Sequence, residues 1–357
     1  SVLDIAGIPV AITVCEDVWQ SGPTLAARSE GARLMLNINA SPFNIDKQTQ
    51  RIETLRQRVA EGKMPIVYVN QVGGQDELVF DGASFALDAG GELCFQAPFF
   101  QPHCGRVVAR YDPDSGDCAL HSELVTAAPP RLEGIYQALV TGVRDYVNKN
   151  HFKGVVLGLS GGIDSALTLA VAVDALGSDR VSAVMMPFRY TSSMSQQDAA
   201  EEASRLGVRY STISIEAMYE AFMVALAPEF GDAPADATEE NLQARCRGVL
   251  LMAISNKHGL MVLTTGNKSE MAVGYSTLYG DMAGGFDVLK DCPKTLVFEL
   301  SRYRNSISPV IPERVIDEDE VVRHGQAPEM RVASCAGHAR FVEMGDKAFK
   351  RGALFRI

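Results

Sequence analysis

The segment "GVVLGLSGGIDSALTLAVAVDALG", residues 154–177, constrains this chain more than any other. An apolar run ends at Leu159, a turn of Ser160-Gly161-Gly162-Ile163-Asp164-Ser165 follows, and an alanine-rich stretch comes next. A buried strand that feeds a turn and then a helix leaves first-turn amides without intrahelical partners, where the helix dipole favours anions. Gly161 and Gly162 let backbone approach a ligand closely, and Ser160 and Ser165 add hydroxyl donors. Asp164 offers an oxygen ligand for Mg²⁺. The spacing is neither GxxxxGK[ST] nor GxGxxG. The pattern predicts a phosphate cradle; its plain alternative is a glycine turn with Asp164 as the helix cap.

From Leu132 onward strands and helices alternate. Helix 132–149 precedes strand 154–159, then come helix 164–176, strand 181–186, helix 195–206, strand 208–213, a long helix 238–257 and strand 260–264. This rhythm predicts a doubly wound parallel sheet covered by helices on both faces. Residues 1–118 read differently. Short apolar strands "IPVAITVC" (8–15), "ARLMLNIN" (32–39) and "MPIVYVNQVG" (64–73) surround one helical stretch ending near Gly62. "LVFDGASFALDAGGELCFQA" reads as one hairpin turning at residues 88–91. Residues 119–131, with Pro129-Pro130, read as a linker.

At 357 residues the chain has room for two cores, and a net charge of −11 argues against a basic nucleic-acid-binding surface. No apolar run reaches membrane-span length. Seven scattered cysteines form no CxxC pair and no zinc spacing, which suits a reducing, cytoplasmic compartment. The chain opens "SVLDIAGIPVAITVCEDVW", almost inside a strand, and we expect further sequence upstream.

"SGGIDS" resembles the pyrophosphate loop of the ATP pyrophosphatase superfamily, whose members activate a carboxylate or carbonyl as an adenylate. "TEENLQARCRGVLL" (238–251) and "VLTTGNKSEMAVGYSTLYGD" (262–281) narrow the resemblance to NAD synthetases, over residues 132–312. The resemblance implies ATP-dependent amidation of nicotinic acid adenine dinucleotide (deamido-NAD) to NAD through an adenylate, with ATP as substrate and Mg²⁺ as cofactor. It implies that Gly158, Leu159, Ser160, Gly161, Gly162, Ile163, Asp164 and Ser165 cradle ATP, with Thr265 and Lys294 as further contacts. Asp164 and Glu270 would hold Mg²⁺. Asn241, Arg245, Glu270, Tyr275, Ser276, Thr277 and Leu278 would bind the dinucleotide. Taken alone, Lys294 reads as a solvated lysine, Arg245 as a helix-surface charge and Glu270 as a cap or first-turn residue. Asp281 reads equally as turn or site, and Met185-Met186 as core or as neighbours of the adenine.

"CEDVW", "NASPFNIDKQTQR" and "YVNQVGGQDELVFDGASF" resemble the nitrilase-like glutaminase domain fused to many bacterial NAD synthetases. The resemblance implies a partial αββα sandwich over 1–118, Cys15 as the nucleophile on the glutamine amide, and Ser41 and Lys47 as glutamine contacts. That family's glutamate base and lysine precede the cysteine, and only fourteen residues precede Cys15, so glutamine hydrolysis is not expected of these residues alone. Residues 313–357 read as a divergent tail, in which only "KAFKRGALFRI" has a basic-aromatic character similar to the family's tail. Family likeness also implies at least a dimer, built partly on helix 238–257. Rival readings are an adenylating amidotransferase for another acid, and a non-catalytic nucleotide-binding remnant.

Overall fold

The computed structural model describes residues 2–280 and 282–317, so Asp281 and the tail from residue 318 lie outside the described residues. The chain divides into two compact units, Ser1–Tyr146 and Val147–Ile357.

In the first unit a mixed six-stranded sheet has the order β1-β2-β3-β4-β7-β8. Its strands are β1 (Val2–Ile5), β2 (Ile8–Val14), β3 (Leu34–Asn39), β4 (Ile66–Asn70), β7 (Phe85–Leu87) and β8 (Leu93–Gln96). β2, β3 and β4 run parallel, and the outer pairs are antiparallel. Two helices, α1 (Ser21–Ser29) and α2 (Lys47–Gly62), cover one face, burying Ala27, Leu55 and Val59 against Ala11, Met35, Ile66, Tyr68 and Phe85. Period-two alternation sends Val10, Leu34 and Ala86 to the opposite face. There they meet Cys118 and Leu120 of the hairpin β9 (Val108–Asp112) and β10 (Asp117–His121).

The single hairpin read in residues 78–97 is two. β6 (Leu78–Asp81) pairs back onto β5 (Val72–Gln75), and only β7 and β8 turn at residues 88–91. Gly82 takes a left-handed φ of 66° and redirects the chain between them. α1 escaped the sequence reading because "SGPTLAARS" has no apolar stripe and carries Gly22 and Pro23 in its first turn.

Helix α3 (Arg131–Lys149) carries the chain across the boundary between the units. The second unit holds a five-stranded parallel sheet of order β13-β12-β11-β14-β15. Its strands are β11 (Gly154–Gly158), β12 (Val181–Met185), β13 (Arg209–Thr212), β14 (Leu260–Asn267) and β15 (Phe286–Leu289). β11 is central and parallel to both neighbours, as the alternation predicts. α4 (Ile163–Leu176) and α5 (Ser193–Leu206) form the crossovers to β12 and β13. α4 is apolar nearly all round, burying Leu167, Leu169, Ala170 and Val171. α6 (Glu216–Phe230) and α7 (Ala237–His258) lead to β14, α8 (Lys268–Val273) follows it, and α9 (Lys294–Ile307) comes after β15. Cys246 and Leu251 of α7 pack on Val156, Val184 and Val262 of the sheet. The chain leaves β11 in one direction and returns to β14 on its other side. The crevice at the carboxyl ends of these two strands is the topological switch point where such sheets take ligands.

Candidate active sites

At the switch point the "SGGIDS" turn is held by its own hydroxyls. Ser165 Oγ donates to the Gly162 carbonyl at 2.9 Å, Ser160 and Ser165 Oγ are 3.0 Å apart, and Gly162 N–H donates to Ser160 Oγ at 3.2 Å. Gly161 has φ of 84°, and a Cβ there would lie 2.3 Å from the Ser195 carbonyl oxygen, so only glycine fits. Leu159 and Ile163 are core residues, at 1% and 0% exposure, that set the turn in place instead of facing a ligand by side chain. Gly158 lies at the end of β11, against Met186. Met185 and Met186 themselves are buried, at 2% and 7% exposure.

Asp164, in the first turn of α4, is the centre of the arrangement. Its Oδ1 accepts from Asn267 Nδ2 at 3.0 Å, and its Oδ2 pairs with Lys294 Nζ. Lys294 begins α9, and its backbone N–H donates to Ser269 Oγ at 3.1 Å. Asn267 is also the cap of α8, accepting from Ser269 and Glu270 N–H at 2.9 and 3.1 Å. Glu270 Oε2 accepts in return from Asn267 N–H at 3.1 Å, closing a capping box. The cap reading of Glu270 is therefore correct as local structure. The same bonds hold its carboxylate and that of Asp164 to one asparagine. Thr265 lies half-buried within a β-bulge of β14, between Thr264 and Asn267. Bulges of this kind re-aim side chains beside active sites.

α7 and the segment after α8 also meet. Thr277 Oγ1 donates to Asn241 Oδ1 at 2.8 Å, and Arg245 Nε donates to the Leu278 carbonyl at 3.3 Å. Gly248 on α7 has no room for a Cβ, which would stand 2.5 Å from the Gly280 carbonyl oxygen. Tyr275, Ser276 and Leu278 are exposed. The segment is thus fixed by backbone and polar contacts while presenting its side chains outward. Asp281 lies outside the described residues.

Three features here were missed in the sequence. Asn267 links both carboxylates, although only its place in a polar turn was evident. The amino end of α5, capped by Ser192 accepting from Ser195 N–H, helps line a cavity of about 350 Å³ with Ser160, Gly161, Gly162 and Asp198. Asp198 is 4% exposed and is held by Arg314. Ser192 as a cap was readable; the partnership with Arg314 was not.

In the first unit, Cys15 follows the last residue of β2 and opens a single 3-10 turn, Cys15–Trp19. Its φ of 51° is a left-handed value that costs a non-glycine residue on the order of 1–2 kcal/mol. Asp17 braces the turn by accepting from Val14 N–H at 2.9 Å. A strained strand-to-helix turn of this kind projects a nucleophile from a sheet end. Ser41 is buried and gripped: its N–H donates to Asn70 Oδ1 at 2.9 Å, and Arg51 Nε donates to its Oγ at 3.1 Å. Arg51, with no exposed side-chain surface, also forks onto both oxygens of buried Asp81. The sequence showed neither Arg51 nor Asp81 as special. Lys47 begins α2, stands 4.3 Å over the Trp19 ring and lines a shallow cavity with Pro42, Phe43, Asn44 and Gln50.

Among the described residues no group of three or more His, Cys, Asp or Glu side chains could hold a metal ion. Two carboxylates beside a phosphate cradle suit Mg²⁺, which typically takes one or two carboxylates plus substrate phosphates.

Comparison with known proteins decides the family. The NAD synthase model matches residues 135–327, and the carbon-nitrogen hydrolase model matches residues 1–105. The chain belongs to the NAD synthase family. A glutamine-dependent NAD(+) synthetase of Acinetobacter baylyi is 50% identical over 319 residues, covering 88% of this chain and 58% of that protein. The chain thus spans less than two thirds of the length of such relatives. Among solved structures, glutamine-dependent NAD+ synthetase from Acinetobacter baumannii in complex with ADP matches all of this chain and 71% of its own, at 45% identity and a TM-score of 0.84. The NH3-dependent NAD synthetase from Campylobacter jejuni matches 63% of this chain and 98% of its own, at 26% identity and a TM-score of 0.50.

Proposed function

We propose that this chain performs ATP-dependent amidation of nicotinic acid adenine dinucleotide to NAD, with ammonia supplied in the longer enzyme by glutamine hydrolysis at Cys15. The observation that carries this reading is the convergence of Asp164, Asn267, Glu270 and Lys294 on the phosphate-binding turn. The dinucleotide carboxylate attacks the α-phosphorus of ATP, the bond to the β-phosphate oxygen breaks, and pyrophosphate leaves. The amides of residues 160–165 and the amino ends of α4 and α5 would receive the phosphates. Lys294 is held at the mouth of the turn by Asp164. There it can transfer its charge to the phosphate oxygens as negative charge builds on the leaving group. Mg²⁺, when bound by Asp164 and Glu270, would neutralise phosphate charge. Ammonia then attacks the acyl carbon, loses a proton, and AMP leaves. Asn241, Arg245 and residues 275–278 would hold the dinucleotide.

The domain reading that goes with this function takes residues 1–118 as the glutaminase part and 132–312 as the synthetase part. Location in the cytoplasm fits the six described cysteines, all of them free. The test is synthesis of NAD from the dinucleotide, ATP, Mg²⁺ and ammonium chloride, followed by chromatography. NAD formation with stoichiometric AMP is the expected result. Release of ADP in place of AMP, or no turnover at all, would overturn the reading. Nicotinic acid mononucleotide in place of the dinucleotide tests the rival acid substrate.

A further inference from the structure

An acid stands in the wall of the cavity that the phosphates of the proposed reaction would enter. Ser160 and Gly162 line this space of about 350 Å³ from the turn, and Ser195 and Asp198 line it from α5. Helix amino ends attract anions, so a carboxylate there works against phosphate. Asp198 is only 4% exposed. Arg314 meets it with a fork: Nε donates to Oδ1 at 3.0 Å and to Oδ2 at 3.2 Å, and Nη2 also donates to Oδ1. Such a fork fixes the plane of the carboxylate and cancels its charge.

Other contacts anchor the segment that carries Arg314. Residues 313–317 are helical, and Val315 and Ile316 within them are 5% and 1% exposed. Just before them, Asn305 of α9 accepts from Val310 and Ile311 N–H at 3.1 and 3.0 Å and donates to the Ile311 carbonyl at 2.7 Å. Val315 lines the same cavity as Asp198. The charged pair therefore sits on a segment that apolar burial and Asn305 already hold beside the cavity.

We propose that Asp198 and Arg314 are positioning residues for pyrophosphate, and that their mutual neutralisation sets how tightly the cavity holds it. Asp198 keeps a long arginine side chain, 38% exposed, in one orientation at the wall. Arg314 without its acid would add a positive charge and retain the product. Asp198 without its arginine would repel it. The balanced pair lets the terminal phosphates of ATP bind and then leave as pyrophosphate. This inference rests on the synthetase reading above, and its test separates the two.

The first measurement is calorimetric titration of the full chain with magnesium pyrophosphate at neutral pH. Arg314→Gln should weaken binding about tenfold, and Asp198→Asn should tighten it about threefold. A pair that served the fold alone would shift both variants in the same direction. Asp198→Asn leaves no buried charge unpaired, so the test stands on that variant where Arg314→Gln is too unstable to assay. The second measurement is kinetic. Arg314→Gln should raise the KM for ATP about tenfold with the dinucleotide KM within about twofold, and Asp198→Asn should strengthen inhibition by pyrophosphate. The inference is overturned by any of four results: no pyrophosphate binding by the wild type, weaker binding in both variants, unchanged binding in Asp198→Asn, or a dinucleotide KM that rises in step with that of ATP. If the wild type binds pyrophosphate but makes no NAD, the proposed function fails, and the titrations still decide the role of the pair.

Discussion

Cys15 and Asp164 place their function in side chains whose surroundings make opposite demands. Cys15 sits at φ of 51° on a braced turn, so replacing it with glycine relieves backbone strain. Cys15→Gly should raise the unfolding free energy by about 1 kcal/mol over Cys15→Ala, as read by urea denaturation. Both variants should keep the ammonium-dependent reaction unchanged, because the cysteine has no part in adenylation. Asp164 instead joins α4, β14 and α9 through Asn267 and Lys294. Asp164→Asn keeps the shape and removes the charge that would hold Mg²⁺ and Lys294. Losing one electrostatic contact of this kind costs about 3 kcal/mol, so kcat for NAD synthesis should fall roughly a hundredfold. An activity within a few-fold of wild type would place the phosphate chemistry elsewhere.

Among the elements, α8 is only six residues long and depends on its cap. Asn267→Ala removes two acceptor contacts to first-turn amides and the bond to Asp164. The cap is worth about 1 kcal/mol in stability. Synthesis should fall by well over the roughly fivefold that a loss of this size represents, since the same side chain aligns the carboxylates. A second element-scale prediction concerns α5. Glu202 is 1% exposed with Oε1 unpartnered, and burial pushes its carboxyl up to about 8, with Arg205 pulling the other way. The folded chain therefore keeps this proton across a pH range in which the unfolded chain has lost it. Stability from this group is present below the unfolded value, near 4.5, and is lost as pH rises toward about 8. Urea midpoints at pH 5 and pH 8 should show the wild type losing more stability than Glu202→Gln. The difference should be on the order of 2–4 kcal/mol. Equal losses would mean that Glu202 is ionised in the folded state.

At the scale of the whole molecule, the outer surface of the synthetase unit is unusually apolar along α6 and α7. Phe222 and Val224 are 47% and 77% exposed, and Val249 and Met252 are 63% and 40% exposed. α6 buries none of its residues despite its Phe, Met, Val and Leu content. Such a face supports association through α7, and light scattering at micromolar concentration should give at least a dimer. A monomer with full activity would contradict it.

Much of the second unit was readable from local pattern, because a parallel sheet buried on both faces demands continuous apolar strands and period-3.6 helices between them. β11, α4, β12, α5, β13, α7 and β14 all fall within a few residues of their expected bounds. The "SGGIDS" turn was readable for the same reason: backbone that must approach a ligand admits few residue types. α6 escaped because it is apolar on every side and carries Pro228. What local pattern does not encode is partnership across distance. Lys294 and Asp164 are 130 residues apart, and their pairing depends on α9 packing beside α4. The buried Arg51–Asp81 pair and the link from Asn267 to Asp164 are likewise products of sheet order and register. Periodicity tells which face of an element turns inward, whereas the identity of the group it meets there is set by which strand becomes its neighbour.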